Sequence, residues 1–257
     1  PPSRYNGPGP LNRRWSKAMA LTISATNLSE IAQPGYCPRC FWVRQKSRRL
    51  PYQSFPGIFS SIDRYVKRMA RHHFDLAGAM PAWFPAVGEV EGMETVPNYR
   101  SFAATDPKSG VTLRGEPDEV LRLKGATYHI VDYKTARLTT NAESMFPRYV
   151  AQLNAYAYIG SRHAFSPVSG LSLIYFEPDT DVEADPSLAV RTQEEFLLGF
   201  TPKLKAVDIK PDSFIEELLR LASQILEPDA PPQGNSGCKE CQAVEELVDM
   251  TRAPPGV

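Results

Sequence analysis

The clearest pattern of apolar and polar positions is a pair of short apolar runs in the middle of the chain. They occupy residues 120–123 and 128–131 and are joined through a short segment that begins with Lys124-Gly125. Alternating or β-branched residues on both sides of a glycine-containing turn predict a β-hairpin. We expect the rest of the fold to be organised around this hairpin.

Three charged residues stand at the predicted open end of the hairpin: Asp118, Asp132 and Lys134. Antiparallel pairing brings Asp118 to the edge where Asp132 lies, and Asp132 and Lys134 are two apart and therefore share a face. Two carboxylates beside an ammonium group predict a site for Mg²⁺ or Mn²⁺. There the lysine would orient or deprotonate a metal-bound water, or stabilise charge on phosphorus. Asp-x-Lys alone is common, and by itself it is more typical of surface charges.

The flanking segments predict an α/β protein. Apolar residues at helical spacing predict helices at residues 24–33, 59–76, 148–160 and 212–226, with another helix after Cys37. Residues 171–177 are almost entirely apolar, as expected for a strand buried on both faces. Further strands are expected at residues 86–90 and 196–209, and loops or irregular chain at residues 51–57, 81–107, 138–147 and 179–186.

Composition is that of an ordinary globular protein, with 257 residues, of which 42% are hydrophobic and 23% charged. Lys+Arg and Asp+Glu both number 29, so the net charge lends no support to nucleic-acid binding. A local basic cluster nevertheless follows the first cysteines: Arg39, Arg44, Lys46, Arg48 and Arg49. It predicts either a stripe of phosphate contacts or a solvated helix face.

Neither a membrane span nor a targeting segment is expected. No apolar run approaches ~18 residues, and no signal-peptide pattern is visible, so we expect a cytoplasmic protein. Residues 1–18 are rich in proline, glycine, arginine and asparagine without periodicity. We expect them to be a disordered arm or a cloning remnant, and residues 19–257 to form one domain.

The four cysteines form two Cys-x-x-Cys pairs, Cys37 with Cys40 and Cys238 with Cys241. Each pair offers two thiolates, so together they predict a metal site that ties the first helices to the C-terminal segment. Disulfides are unfavoured in the cytosol, and a redox pair normally needs one motif only. Tetrahedral Cys₄ ligation suits Zn²⁺ and also a [4Fe–4S] cluster.

Two separated motifs resemble those of the PD-(D/E)XK nucleases. Pro117-Asp118 is followed, after thirteen residues, by Asp132-Tyr133-Lys134. Gln152 and Tyr156 are similar to the Gln-x-x-x-Tyr helix of the RecB-like branch. The resemblance covers residues 37–241 and implies a restriction-endonuclease-like mixed β-sheet flanked by helices, with the active site at one sheet end.

The resemblance also implies roles for individual residues. Asp118 and Asp132 would be the metal-binding carboxylates, Tyr133 would offer its backbone carbonyl to the same ion, and Lys134 would be the catalytic lysine. Gln152 and Tyr156 would hydrogen-bond the DNA backbone or the surroundings of the lysine. Without the preceding motif, a buried tyrosine and a capping glutamine would be the preferred interpretation.

One position departs from the RecB-like pattern. Those nucleases usually place a metal-binding histidine four residues after a glycine on the preceding helix, and here Gly57 is followed at that spacing by Ser61. Asp63 could substitute only if the helix turns it inward. His72 and His73 are expected to be surface or packing residues. The missing histidine implies weaker or single-metal binding, a different metal preference, or a degenerate site.

The implied activity is that of a metal-dependent DNA nuclease, an exonuclease acting on single-stranded ends in CRISPR adaptation or DNA repair. RecB-like relatives, including the CRISPR-associated adaptation nuclease and AddB-type subunits, carry a [4Fe–4S] cluster on one N-terminal and three C-terminal cysteines. Here the division is two and two, so Zn²⁺ remains an alternative to the expected [4Fe–4S] cluster. The resemblance also implies a helicase or integrase as a partner. The rival hypotheses are a catalytically degenerate nucleic-acid-binding module and a zinc-clasped scaffold.

Overall fold

The computed structural model describes residues 21–47, 57–139, 144–181, 183, 185, 194 and 197–252. The predicted arm at residues 1–18 and the basic residues Arg48 and Arg49 lie outside these ranges. The assignment of residues 19–257 to a single domain therefore stays a prediction. Within the described part of the chain, no helix is long and apolar enough to cross a membrane.

A five-stranded mixed sheet forms the centre of the molecule. In spatial order its strands are β2 (Val90–Met93), β5 (Glu119–Leu123), β6 (Thr127–Lys134), β7 (Val168–Pro178) and β8 (Phe200–Val207). Only β6 and β7 run parallel, and the other neighbours are antiparallel. The predicted hairpin is confirmed, because β5 pairs with β6 from Glu119 opposite Val131 to Leu123 opposite Thr127.

Helices cover both faces of this sheet. They are α1 (Ala25–Leu28), continued by a 3₁₀ turn (Ser29–Ala32), α2 (Pro38–Lys46), α3 (Gly57–Ala77), α4 (Phe146–Gly160), α5 (Asp212–Leu226) and α6 (Lys239–Arg252). The larger core joins α1, α4 and α5 to one sheet face. A smaller core joins α3 to the other face. The mixed, helix-flanked sheet predicted from the resemblance is confirmed.

Alternation along β6 separates the two cores. Ile130 belongs to the larger core beside α4, whereas Val131 and Tyr133 belong to the smaller core beside α3. Successive strand residues point to opposite faces, so Asp132 and Lys134 share the α4 face with Ile130. The charged end of the hairpin is therefore placed by the same alternation that buries its apolar residues.

A small second sheet was not predicted. Its strands, in the order β1 (Thr22–Ser24), β4 (Thr112–Arg114) and β3 (Ala103–Thr105), have three residues each. Runs this short carry too few residues for a period-2 pattern to be recognised. The sheet nevertheless contributes fully buried side chains to the larger core, among them Phe102 and Leu113.

Three predicted elements differ from the structure, two in where they begin and one in its helix type. The strand expected at residues 86–90 begins only at Val90, after Gly88 with a φ of 120° that no strand accommodates. Helix α4 starts at Phe146, inside the predicted loop, with Pro147 in its first turn. Ser24 caps the first helix as expected, accepting the Asn27 backbone N–H at 3.0 Å, but that helix soon becomes 3₁₀.

The packing of Tyr156 generates the first prediction. A Cβ added at Gly115 would lie 2.7 Å from the Tyr156 ring, too close for a buried aromatic side chain. We expect Gly115→Ala to lower the free energy of unfolding by ~1–3 kcal/mol through overpacking. Gly57→Ala is the control, because an added Cβ there meets nothing within 4 Å. Denaturant unfolding of the three proteins checks this, and equal stability of all three would contradict it.

Candidate active site

The three charged residues predicted to meet do meet. Lys134 Nζ forms an ion pair with Asp132 Oδ2 on the α4 face of β6. Asp118, just before β5, accepts the backbone N–H of Tyr133 on its Oδ2 at 2.6 Å. This hydrogen bond anchors Asp118 beside the end of β6. Two carboxylates and an ammonium group therefore stand together at one end of the central sheet.

Helix α4 supports Asp132 through the predicted glutamine–tyrosine pair. Gln152 Nε2 lies 3.5 Å from Asp132 Oδ1, 2.9 Å from Tyr156 Oη and 3.2 Å from Thr26 Oγ1. Gln152 is only 7% exposed and Tyr156 only 4% exposed. Of the two roles implied for this pair, the geometry favours contacts around the carboxylate site over direct contacts with DNA.

Burial dominates the electrostatics of Asp132. Loss of hydration raises the pKa of its carboxyl to about 6, although the Lys134 ammonium opposes the shift. Among the described residues, Asp132 Oδ2 makes no hydrogen bond beyond its ion pair with Lys134. A buried carboxylate oxygen with this spare capacity fits a divalent-ion ligand. Whether the Tyr133 carbonyl joins it stays a prediction.

A second lysine, which the sequence reasoning missed, stands on the other side of Asp118. Lys67 of α3 places its Nζ 2.7 Å from Asp118 Oδ1 and 2.8 Å from Asp63 Oδ2. Although burial disfavours its ammonium, Asp118 raises the pKa of Lys67 above its usual range. The available signal was the spacing of Asp63 and Lys67, four apart and thus on one helix face.

The helix position that departs from the RecB-like pattern does not reach the site. Ser61 is exposed and donates its hydroxyl to the Gly57 carbonyl at 3.2 Å. Asp63 is connected to the site only indirectly. Its carboxylate forms an ion pair with Lys67, which in turn forms an ion pair with Asp118. His72 and His73 are exposed, as predicted.

An acidic residue next to Asp118 ties α3 to the sheet. Glu119 is 2% exposed and receives Arg71 Nη2 at 2.7 Å, while Arg71 also donates to the carbonyls of Met93 and Glu94. Burial raises the pKa of Glu119 to about 7, against the pull of Arg71. Arg71 and Glu119 therefore fix the helix that carries Lys67.

An open cleft of about 400 Å³ lies between α3 and the start of β5. Its lining contains three cationic and three acidic side chains, and Lys67 and Arg71 are paired with Asp118 and Glu119. The lining residues are Lys67, Arg68, Arg71, Thr95, Val96, Glu116, Pro117, Asp118 and Glu119. Cations at the rim of a carboxylate site suit a phosphate-bearing substrate.

The four cysteines come together as predicted. Cys37 and Cys40 open α2, and Cys238 and Cys241 open α6. Their four sulfur atoms all lie within 4.8 Å of one another. Cys40 Sγ is 3.3 Å from Cys241 Sγ and 3.6 Å from Cys238 Sγ, and Cys37 Sγ is 3.5 Å from Cys241 Sγ. The cluster joins the two ends of the described fold.

The chemistry of this cluster fits a bound cation. Burial and the neighbouring thiols raise the pKa of Cys40, so several adjacent thiolates need a positive charge among them. Thiolates bound tetrahedrally to one ion at ~2.3 Å are separated by roughly 3.8 Å. The observed separations are of this size.

Two arginines of the basic cluster form ion pairs next to the cysteine cluster. Arg39 pairs with Glu245 at 2.5 Å, and Arg44 pairs with Glu30 and Glu240, each at 2.9 Å. These pairs join α2 to the 3₁₀ turn and to α6. Of the two readings of the basic cluster, the described contacts favour a structural helix face over a free phosphate-binding stripe.

Comparison with models of protein families agrees with this architecture. Residues 29–245 match the family model described as the PD-(D/E)XK nuclease superfamily, and the chain belongs to that superfamily. Among solved structures, it is similar to the crystal structure of SSO0001, with 15% identity and a TM-score of 0.40. That match covers 83% of this chain and 80% of the other. A search of curated proteins found no match.

The burial of Asp132 generates a prediction about stability. A carboxyl whose pKa rises on folding from 3.8 to about 6 stabilises the fold fully below the lower value. That contribution, on the order of a few kcal/mol, is lost as the pH rises through about 6. Asp132→Asn has no carboxyl group at this position, so we expect its stability not to show this fall with pH. Between pH 4 and 7, the free energy of unfolding of the metal-free wild type should therefore decrease relative to that of the variant.

Denaturant unfolding across this pH range, in metal-depleted buffer, checks the prediction. Asp208→Asn is the matched control, since Asp208 is an exposed aspartate with 86% of its side chain accessible. The control should follow the wild type at every pH. Parallel pH profiles for Asp132→Asn and wild type would contradict the buried-carboxylate interpretation.

Proposed function

We propose that this protein is a Mg²⁺- or Mn²⁺-dependent deoxyribonuclease that hydrolyses phosphodiester bonds. The observation that carries the proposal is the meeting of Asp118, Asp132 and Lys134 at one sheet end. The adjoining cleft places Lys67, Arg68 and Arg71 beside these carboxylates, where they could contact the phosphates of a substrate. Membership of a nuclease superfamily supports the reaction class.

In this proposal Asp118 and Asp132 hold the divalent ion, together with the Tyr133 carbonyl. When bound, such an ion polarises the scissile phosphate and lowers the pKa of a coordinated water. Lys134 orients the attacking water and neutralises charge developing on the phosphate oxygens. Its Nζ is restrained by Asp132 and by the Tyr149 ring, whose centroid is 4.8 Å away.

Gln152 and Tyr156 act as positioning residues. Their mutual hydrogen bond and the Gln152 contact with Asp132 Oδ1 restrict the carboxylate to one orientation. A carboxylate fixed in this way loses less conformational entropy when a ligand binds. The same pair supports assignment to the RecB-like branch.

We extend the proposal to an exonuclease acting on single-stranded DNA ends. Its support is the combination of the Gln152–Tyr156 pair with a cysteine clasp joining distant segments, as in the CRISPR-associated and AddB-type nucleases. A helicase or integrase partner, a role in CRISPR adaptation or DNA repair, and a cytoplasmic location complete the proposal. Degradation of labelled single strands with free or blocked ends tests the preference for ends.

For the cysteine site we propose a single structural Zn²⁺. The sulfur separations support one tetrahedral ion, since a [4Fe–4S] cluster interposes four irons and spreads its thiolates further apart. The [4Fe–4S] cluster expected from the RecB-like resemblance is the alternative. In either form the site acts as a clasp between α2 and α6.

A second candidate function is a nucleic-acid-binding module without hydrolysis. Two observations favour it: Ser61 is exposed where a histidine ligand is expected, and Asp118 Oδ1 is paired with Lys67. Such a protein would retain strand affinity while releasing no nucleotides with either metal. The mutational test of Lys134 separates this candidate from the nuclease.

We expect Lys134→Ala to lower the cleavage rate of single-stranded DNA at least a hundredfold, roughly the effect of losing one charge-stabilising group. Strand affinity in Ca²⁺ and the metal content of the cysteine site should persist. Lys124→Ala, in the hairpin turn at the opposite end of β6, is the control. Wild-type cleavage by Lys134→Ala would remove the lysine from the mechanism, and binding without cleavage by the wild type would favour the module.

The purified protein should contain about one Zn²⁺ per chain and show no brown absorption near ~400 nm. Cys238→Ser combined with Cys241→Ser should remove the metal and lower the melting temperature by several degrees. Met250→Ser, an exposed change on α6, is the control. Elemental analysis and thermal unfolding provide the readouts. Stoichiometric iron and sulfide would instead establish the [4Fe–4S] alternative.

A further inference from the structure

Lys67 brings a positive charge from α3 to the carboxylate site. Its Nζ stands 2.7 Å from Asp118 Oδ1 and 2.8 Å from Asp63 Oδ2. The lysine side chain is 32% exposed, and Asp118 is 15% exposed. The ion pair is therefore shielded from bulk water, where such pairs contribute more than they do on an open surface.

The two carboxylates differ in how their oxygens are used. Asp118 Oδ1 faces Lys67, and Asp118 Oδ2 accepts the Tyr133 N–H at 2.6 Å. Asp132 Oδ2 has the Lys134 ion pair and no hydrogen bond among the described residues. Spare coordinating capacity is therefore concentrated at Asp132. Asp118 still has free lone pairs with which to bind an ion that it shares with Asp132. Lys67 occupies the side of Asp118 that faces α3.

The balance of charges around the two carboxylates disfavours a second divalent ion. Asp63, Asp118 and Asp132 contribute three negative charges, and Lys67 and Lys134 contribute two positive charges. The remaining single negative charge is more than neutralised by one divalent ion. A second divalent ion would have to bind beside two ammonium groups and a first ion, at a cost that grows as water is excluded.

We propose that Lys67 takes the place of a second divalent ion, so that the carboxylate site holds one ion, bound chiefly through Asp132. Lys67 then supplies the second positive charge facing a phosphate in the adjoining cleft, which it lines together with Arg68 and Arg71. Asp63 acts as a positioning residue that keeps the ammonium over Asp118. The inference rests on the proposed function only for the assignment of the two aspartates as ion ligands.

The position of α3 is fixed by buried contacts, and this keeps the Lys67 ammonium group beside Asp118. Arg71, one helical turn beyond Lys67, is locked to the buried Glu119 and to two backbone carbonyls. Val66 and Ala70, on the inner side of α3, are buried in the smaller core. The helix therefore cannot withdraw Lys67 from Asp118 without breaking a buried ion pair and apolar packing.

The test is a Mn²⁺ titration followed by electron paramagnetic resonance at one fixed pH, with the cysteine site in its purified state. Wild type should bind one Mn²⁺ that is lost in Asp132→Asn. Lys67→Met and Lys67→Gln should bind a second Mn²⁺ or hold the first at least tenfold more tightly, because a repelling charge is gone. Lys67→Arg should resemble wild type, and Lys124→Met, in the hairpin turn, is the control.

Lys67→Gln retains a hydrogen-bond donor, so it separates loss of charge from loss of folding if Lys67→Met is unstable. Two Mn²⁺ ions in the wild type, or unchanged stoichiometry and affinity in both neutral variants, would overturn the inference. Cleavage assays report separately on the proposed function. A wild type that binds one ion and cleaves nothing would contradict the nuclease and leave the ion count standing.

Discussion

The structure depends on keeping one carboxylate, Asp132, out of water at the end of a central strand. Such a group is costly to bury, and two contacts offset part of the cost: the ion pair with Lys134 and the approach of Gln152 Nε2. Lys134 comes from the same strand and Gln152 from α4, while Asp118, held by the Tyr133 N–H, adds a second carboxylate beside it. The site can form only when α4 and both hairpin strands are correctly packed.

Two further constraints hold these elements together. On the α3 side, the buried Arg71–Glu119 pair fixes the helix that presents Lys67 to Asp118. The cysteine cluster joins α2 to α6, and ion pairs of Arg39 and Arg44 link the same two helices beside it.

Much of this arrangement could be predicted from the sequence, because the decisive signals are local. The turn at Lys124-Gly125 predicted the hairpin, and antiparallel pairing predicted that Asp118 lies at the same end as Asp132. Spacing placed Asp132 and Lys134 on one face and predicted the meeting of four cysteines. The Gln152 and Tyr156 positions followed from a motif on a single helix.

The rest depended on packing between distant segments. Lys67 is separated from Asp118 by fifty-one positions, and its spacing from Asp63, the one local signal, does not indicate that it reaches Asp118. The three-residue strands around Leu113 are stabilised by their neighbours rather than by their own pattern. Pairing of Arg39 and Arg44 with acids from the 3₁₀ turn and from α6 likewise could not be seen in the basic cluster itself.

The most direct test of the account is anomalous diffraction from crystals of the protein soaked in Mn²⁺, collected at the manganese edge. The account predicts an anomalous peak within coordination distance of both Asp118 and Asp132, with Lys134 Nζ beside it. Density away from these carboxylates, or none at saturating Mn²⁺, would contradict the assignment of this sheet end as the metal-binding active site.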